Sequence, residues 1–93
     1  MTAFVILHYR AIEMTRTCVE RIKALEGKSH IVIVDNASPN GTGRILEKEY
    51  EKEKMITVLL NQENGGFARG NNLGICWVCS HLKADFVVVL NND

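Results

Sequence analysis

The sequence predicts an α/β fold: a parallel sheet flanked by helices in three layers. Three observations carry that reading. Four short apolar runs rich in β-branched residues alternate with three stretches of helical periodicity, in the order β-α-β-α-β-α-β. The connections between the runs are too long for hairpins, which implies parallel strands joined by right-handed crossovers. Each run also ends in a cluster of polar side chains, the pattern of strands whose carboxyl ends form one functional edge.

The first strand is read at residues 3–7, with His8, Tyr9 and Arg10 at its end. Met14, Cys18, Ile22 and Leu25 then recur at helical spacing among Arg16, Glu20, Arg21 and Lys23, which predicts an amphipathic helix stopped at Gly27. Residues 31–34 are the second strand, closed by Asp35. Residues 36–43 are the longest run of turn formers and lead into a second helix over 44–54, with Ile45, Leu46, Glu49 and Tyr50 marking it. The charges from Glu47 to Lys54 alternate in sign and read as a solvated face. Residues 56–60 are the third strand, and 61–66 a second loop. Ala68, Asn72, Ile75, Cys79 and Leu82 mark one stripe of a third helix.

The closing run, Phe86-Val87-Val88-Val89-Leu90, has no alternation and reads as a central strand buried on both faces. It runs into Asn91-Asn92-Asp93.

Composition narrows the function. The chain has 93 residues, so it forms one domain at most. Lys plus Arg is 11 and Asp plus Glu is 11, with no basic face, which argues against nucleic acid as a partner. No apolar segment approaches the ~18 residues of a membrane span. The start, residues 1–7, lacks the length and basic flank of a signal peptide, so the expected compartment is the cytoplasm. Three cysteines, an odd number, argue against a disulfide framework. Cys76 and Cys79 form C-x-x-C on the third helix, without the ligand set of a zinc site, and read as core or boundary residues.

The strand ends carry the chemistry. They hold His8-Tyr9-Arg10, Asp35-Asn36, Asn61 with the Gly65-Gly66 loop, and Asn91-Asn92-Asp93. Turns favour Asn, Asp and Gly in any case. A carboxylate directly at the end of two strands points instead to a ligand site. Residues 65–70 have G-x-x-x-x-G spacing, but Asn71-Asn72 stand where a P-loop requires Lys and Ser/Thr. A dinucleotide fingerprint fails because no glycine follows the first strand before residue 14. A helix starting near Phe67 would still offer free N–H groups to an anion. Asp93 suits a hard cation, Mn²⁺ or Mg²⁺, completed by substrate phosphates. His8 is expected to contact the nucleotide or fill space at the site edge.

Four blocks, in order, resemble the family 2 glycosyltransferases of the GT-A fold: residues 5–9, 32–38, 64–74 and 90–93. Among them the chain is most similar to bacterial members that transfer rhamnose and similar sugars onto surface polysaccharide. The resemblance implies a Rossmann-like α/β/α architecture, with residues 1–93 forming the nucleotide-sugar-binding, N-terminal half of a GT-A domain cut at its D-x-D element. It implies a nucleotide-diphosphate-sugar donor, a glycan acceptor, a divalent metal and inverting transfer. Tyr9, with His8 beside it, matches the position that packs on the nucleobase, and Asp35 the acid that hydrogen-bonds the base. Asn36, Gly65, Gly66, Arg69 and Asn72 fall in the matching nucleotide-sugar-binding blocks. Asn91-Asn92-Asp93 matches D-x-D, with Asp93 as the metal-binding acid and Asn91, which replaces the first acid, able to bond a ribose hydroxyl. The family's catalytic base lies well beyond this element, so no catalytic residue is expected within residues 1–93.

Two other classes fit less of the sequence. One is a non-catalytic nucleotide-binding or interaction module. The other is a nucleotidyltransferase, which would carry a Gly-rich, Lys/Arg-bearing loop after the first strand, where Arg10-Ala11-Ile12-Glu13 stand. A chain ending at Asp93 is expected to leave an apolar sheet edge and to self-associate. The longer enzyme leaves room for peripheral membrane association.

Overall fold

A computed structural model describes residues 1–91. Its order is β1 (Thr2–His8), α1 (Ile12–Lys23), β2 (Ser29–Asn36), α2 (Thr42–Tyr50), β3 (Ile56–Asn61), α3 (Phe67–His81) and β4 (Phe86–Asn91). The sheet order is β3-β2-β1-β4, and every neighbouring pair is parallel. The chain therefore winds outward from β1 to β3, then returns to β4 on the other side of β1. Right-handed crossovers in opposite directions put helices on opposite faces of the sheet. Accordingly Val19, Ile22, Leu46 and Tyr50 of α1 and α2 pack with Ile6, Ile31, Ile33 and Ile56 on one face. Val78 of α3 packs with Ala3, Val5, Leu7, Val32 and Val34 on the other.

The buried stripe of α3 differs from the expected one. Gly70, Asn71, Gly74 and Val78 face inward, while Ala68, Asn72 and Cys79 are exposed. The reason is close approach. A Cβ on Gly74 would lie 2.4 Å from Val5 Cγ1, and one on Gly70 would lie 2.4 Å from Leu7 Cδ1. The helix seats on the sheet through its smallest residues, which hydrophobic periodicity does not register. In α1 the inward residues are Thr15, Val19 and Ile22, while Met14 and Leu25 are exposed. Thr15 is drawn inward by a hydrogen bond from beneath, described below. In α2, Leu46 and Tyr50 are buried as expected, but Ile45 is exposed and the helix ends before Glu51–Lys54. The Arg16 guanidinium bridges the two helices to Glu49, with Nη2 to Oε1 at 2.6 Å.

Among the described residues the closing strand is not buried on both faces and forms the expected apolar edge. Within the described sheet β4 is an edge, paired only with β1, and Phe86 is 71% exposed. A continuous apolar run shows that both faces suit burial, not which atoms bury them. Cys76 and Cys79 are exposed free thiols rather than core residues. Trp77 is half-buried, stacked between His30 (5.7 Å) and His81 (4.5 Å). No described helix is long and apolar enough to cross a membrane.

Candidate functional site

The parallel register brings the strand ends to one rim. His8 pairs with Asp35, Asp35 with Leu60, Asn36 with Asn61, and Leu7 with Asn91. Side-chain alternation then divides the rim between the two faces. Asp35 and His8 lie on the α1/α2 face, and Asn36 lies on the α3 face.

Between the ends of β2 and β3 and the start of α2 opens a cleft of about 310 Å³. Asp35, Ser38, Gly43 and Arg44 line it on one side and Leu60, Asn61 and Gln62 on the other. Asp35 is 6% exposed, and its Oδ1 accepts the Ser38 N–H at 3.2 Å. A Cβ at Gly43 would sit 2.0 Å from Asp35 Oδ2, so only glycine lets the carboxylate lie against the first turn of α2. A helix N-terminus favours negative charge there. Ala37, next along, has φ of 59°, a left-handed backbone uncommon for a residue with a Cβ.

At the end of β1, Tyr9 is exposed and the Arg10 guanidinium carbon lies 5.2 Å from its ring centroid. Arg10 has φ of 63°, and Ala11 N–H bonds back to Tyr9 O at 2.7 Å, a strained γ-turn. Arg10 N–H donates to Ser38 Oγ at 2.9 Å, and Asn40 Nδ2 donates to Arg10 O at 3.1 Å. The loops after β1 and β2 are thus laced together. His8 lies beneath them and does not reach the rim. It is fully buried, with Nδ1 2.6 Å from Thr15 Oγ1 and Nε2 2.8 Å from Thr42 Oγ1. Both ring nitrogens are spent inside the protein, so direct contact with a ligand gives way to the space-filling alternative. Burial pushes the His8 pKa down, and the nearby Asp35 carboxylate partly opposes this.

The loop from β3 to α3 is more open. Asn64 Oδ1 accepts from Asn36 Nδ2 at 2.9 Å and from Gly66 N–H at 3.0 Å. Gly66, with φ of 87°, precedes the first residue of α3. The Arg69 side chain folds back over Gly65, where a Cβ would meet its Cδ at 2.3 Å. Of the amide pair on α3, Asn72 is exposed and Asn71 is buried. Asn36 Oδ1 and Asn71 Oδ1 are buried without a partner among the described residues. Asn91 closes β4 on the same rim.

Asn92 and Asp93 lie outside the described residues. Among the described residues no three His, Cys, Asp or Glu side chains group so as to hold a metal. The sequence reading missed Ser38, Asn40, Gly43 and Arg44, all inside or just after the run of turn formers. The available signal was a serine three residues after Asp35, the spacing of a carboxylate that accepts a backbone N–H within its own turn.

Parallel strands converging on a polar cleft beside a glycine-bearing helix start define an α/β domain of the architecture in which ligands bind at the carboxyl edge. The chain belongs to glycosyl transferase family 2, whose model matches residues 3–93. That is a family of enzymes. Glycosyltransferase GlyG of Streptococcus pneumoniae serotype 4 is 29% identical over 77 residues, covering 82% of this chain. The chain spans 24% of that protein's length. In structure, the chain is similar to mannosyltransferase PcManGT from Pyrobaculum calidifontis, solved in complex with GDP-Man and Mn²⁺. The TM-score is 0.81 at 20% identity, over 99% of this chain and 27% of that one. This likeness is one of fold.

Proposed function

We propose that the chain is the donor-binding part of a glycosyltransferase that uses a nucleotide-diphosphate sugar. The observation that carries this reading is the register that sets Asp35 and its cleft on the same rim as Asn91. In this reading Asp35 accepts a hydrogen bond from the nucleobase, and Tyr9 packs against the nucleoside. Asn36, Gly65, Gly66, Arg69 and Asn72 flank the nucleotide from the α3 side, and Asn91 bonds a ribose hydroxyl. Asp93 holds a divalent ion, Mn²⁺ or Mg²⁺, together with the donor's phosphates. When bound, that ion supplies neutralisation of charge on the diphosphate. The GDP-Man and Mn²⁺ in the complex of the fold relative support a nucleotide-sugar donor and a divalent ion.

The transfer itself needs an acceptor and a base beyond Asp93. The acceptor hydroxyl oxygen bonds the anomeric carbon as the carbon–oxygen bond to diphosphate breaks. The hydroxyl proton passes to the base, and attack opposite the leaving group inverts the centre. A glycan acceptor on a surface polysaccharide, with rhamnose or a similar sugar transferred, is the matching substrate class. Residues 1–93 supply donor binding and no catalytic group. The open β4 edge and exposed Phe86 and Val87 support self-association of this chain.

Calorimetric titration with uridine, thymidine or guanosine diphosphate plus Mn²⁺ tests the reading. One of the three should bind, Asp35→Asn should weaken it, and Asp93→Ala should remove its dependence on Mn²⁺. No binding by any of the three, or equal Mn²⁺ dependence after Asp93→Ala, would contradict it.

A further inference from the structure

Among the described residues His8 is the one fully buried ionisable side chain near the rim, and the nucleotide contacts proposed above do not use it. Its two partners are the hydroxyls of Thr15, on α1, and Thr42, the first residue of α2. The tautomer follows from the outermost link inward. Asn40 Nδ2 faces the Arg10 carbonyl, so Asn40 presents Oδ1 to Thr42. The Thr42 hydroxyl spends its single hydrogen on that oxygen, at 2.8 Å. Thr42 Oγ1 can then only accept from His8, which places the imidazole proton on Nε2. The Nδ1 lone pair in turn accepts the Thr15 hydroxyl hydrogen. The result is a one-way chain: Thr15 to His8 to Thr42 to Asn40 to the carbonyl of Arg10.

We propose that His8 is a positioning residue for nucleotide binding: this chain, run through its Nε2–H tautomer, holds the Arg10 turn that presents Tyr9 and Arg10 on the rim. The role rests on the nucleotide reading above. The Arg10 turn needs such a hold. Its positive φ and its hydrogen bond across three residues are a strained combination for a residue with a Cβ, and such backbone persists only where its surroundings over-determine it. The Arg10 N–H is held from one side by Ser38 Oγ, and its carbonyl from the other by the end of the His8 chain. Ser38 holds only the N–H side of the turn, and Asn40 holds its carbonyl side. The chain also ties the loop after β1 to the loop after β2, and the latter borders the Asp35 cleft. One buried ring therefore sets the base-stacking and base-bonding groups relative to one another.

Removing His8 risks the core, so the decisive substitutions are at exposed Asn40. Asn40→Asp still accepts from Thr42 but cannot donate to the Arg10 carbonyl. It should bind the preferred nucleoside diphosphate about five- to tenfold more weakly, the effect of one lost hydrogen bond, with a melting midpoint close to wild type. Asn40→Ala should lose affinity similarly and also free the Thr42 hydroxyl. Imidazole nitrogen shifts should report a neutral Nε2–H tautomer for His8 in wild type and Asn40→Asp, and a mixture in Asn40→Ala. An Nδ1–H tautomer in wild type, or unchanged affinity in both variants, would overturn the proposal. A wild-type chain that binds no nucleoside diphosphate yet shows the Nε2–H tautomer would overturn the nucleotide reading, and this role with it, while leaving the hydrogen-bond chain intact.

Discussion

Between β1, β2 and the first turn of α2, the polar groups at the rim are bonded to one another. Asp35, Ser38, Arg10, Asn40, Thr42 and His8 form a continuous set of partners. On the α3 face, two buried amide oxygens, of Asn36 and Asn71, have no partner among the described residues, and Gly65 and Gly66 nearby are exposed. The face with two helices is built before any ligand arrives. The face with one helix carries those two acceptors and an Arg69 side chain folded over Gly65. Preorganised groups cost less ordering on binding, so affinity for the nucleoside should reside in the first half. The second half should tune it.

The largest effects should separate the two kinds of glycine. Gly74→Leu drives a side chain into Val5 and Val34, and should destabilise the fold by roughly 3 kcal/mol, read as a drop in denaturation midpoint. Gly43→Ala should cost about 1–3 kcal/mol as the Asp35 carboxylate is displaced, and should also weaken nucleotide binding. Gly66→Ala, where a Cβ meets nothing but φ is 87°, should cost only about 1 kcal/mol. If Gly43→Ala cost no more than Gly66→Ala, the closed and open halves of the rim would not differ as described.

Two further outcomes concern the rest of the molecule. Phe86→Lys places a charge on the open β4 edge and should shift self-association toward monomer in light scattering, with little change in stability. Acid sensitivity should be smaller and gradual. Burial lowers the pKa of His8 and His30 below the ordinary 6.5. The unfolded chain therefore takes up protons that the fold refuses. The stabilisation is present above about pH 6.5 and is lost as pH falls through the lowered values. Equilibrium unfolding between pH 7 and 5 should show the decline, and His30→Gln should remove part of it.

What was legible in the sequence follows from what a residue pattern encodes. The strands were, because runs such as Ile31-Val32-Ile33-Val34 carry both conformation and burial. The shared rim followed from topology alone: parallel strands leave Asp35 and Asn91 no other edge. The apolar edge at β4 was expected, but its pairing with β1 was not legible, since sheet order depends on which strands pair. Helix faces failed where small or polar residues point inward. Gly70 and Gly74 are buried by close approach and Thr15 by a hydrogen bond to His8, and none of the three adds to an apolar stripe. At the site, Asp35 stood out by its place after the second strand. Arg44 and Asn40 did not, because turn residues look alike until their partners are known. His8 looked like a ligand contact because it ends β1. Alternation turns it inward, toward α1 and α2.

The central claim is that nucleotide and metal meet at the carboxyl ends of the strands. Paramagnetic broadening of amide signals by Mn²⁺ in the presence of the preferred nucleoside diphosphate tests it most directly. The account predicts that Tyr9, Ala37, Asn61 and Asn91 broaden while Lys28, Met55 and Asp85, at the opposite end of the sheet, stay sharp. Broadening centred on Lys28 and Asp85, or none beyond that of free Mn²⁺, would contradict it.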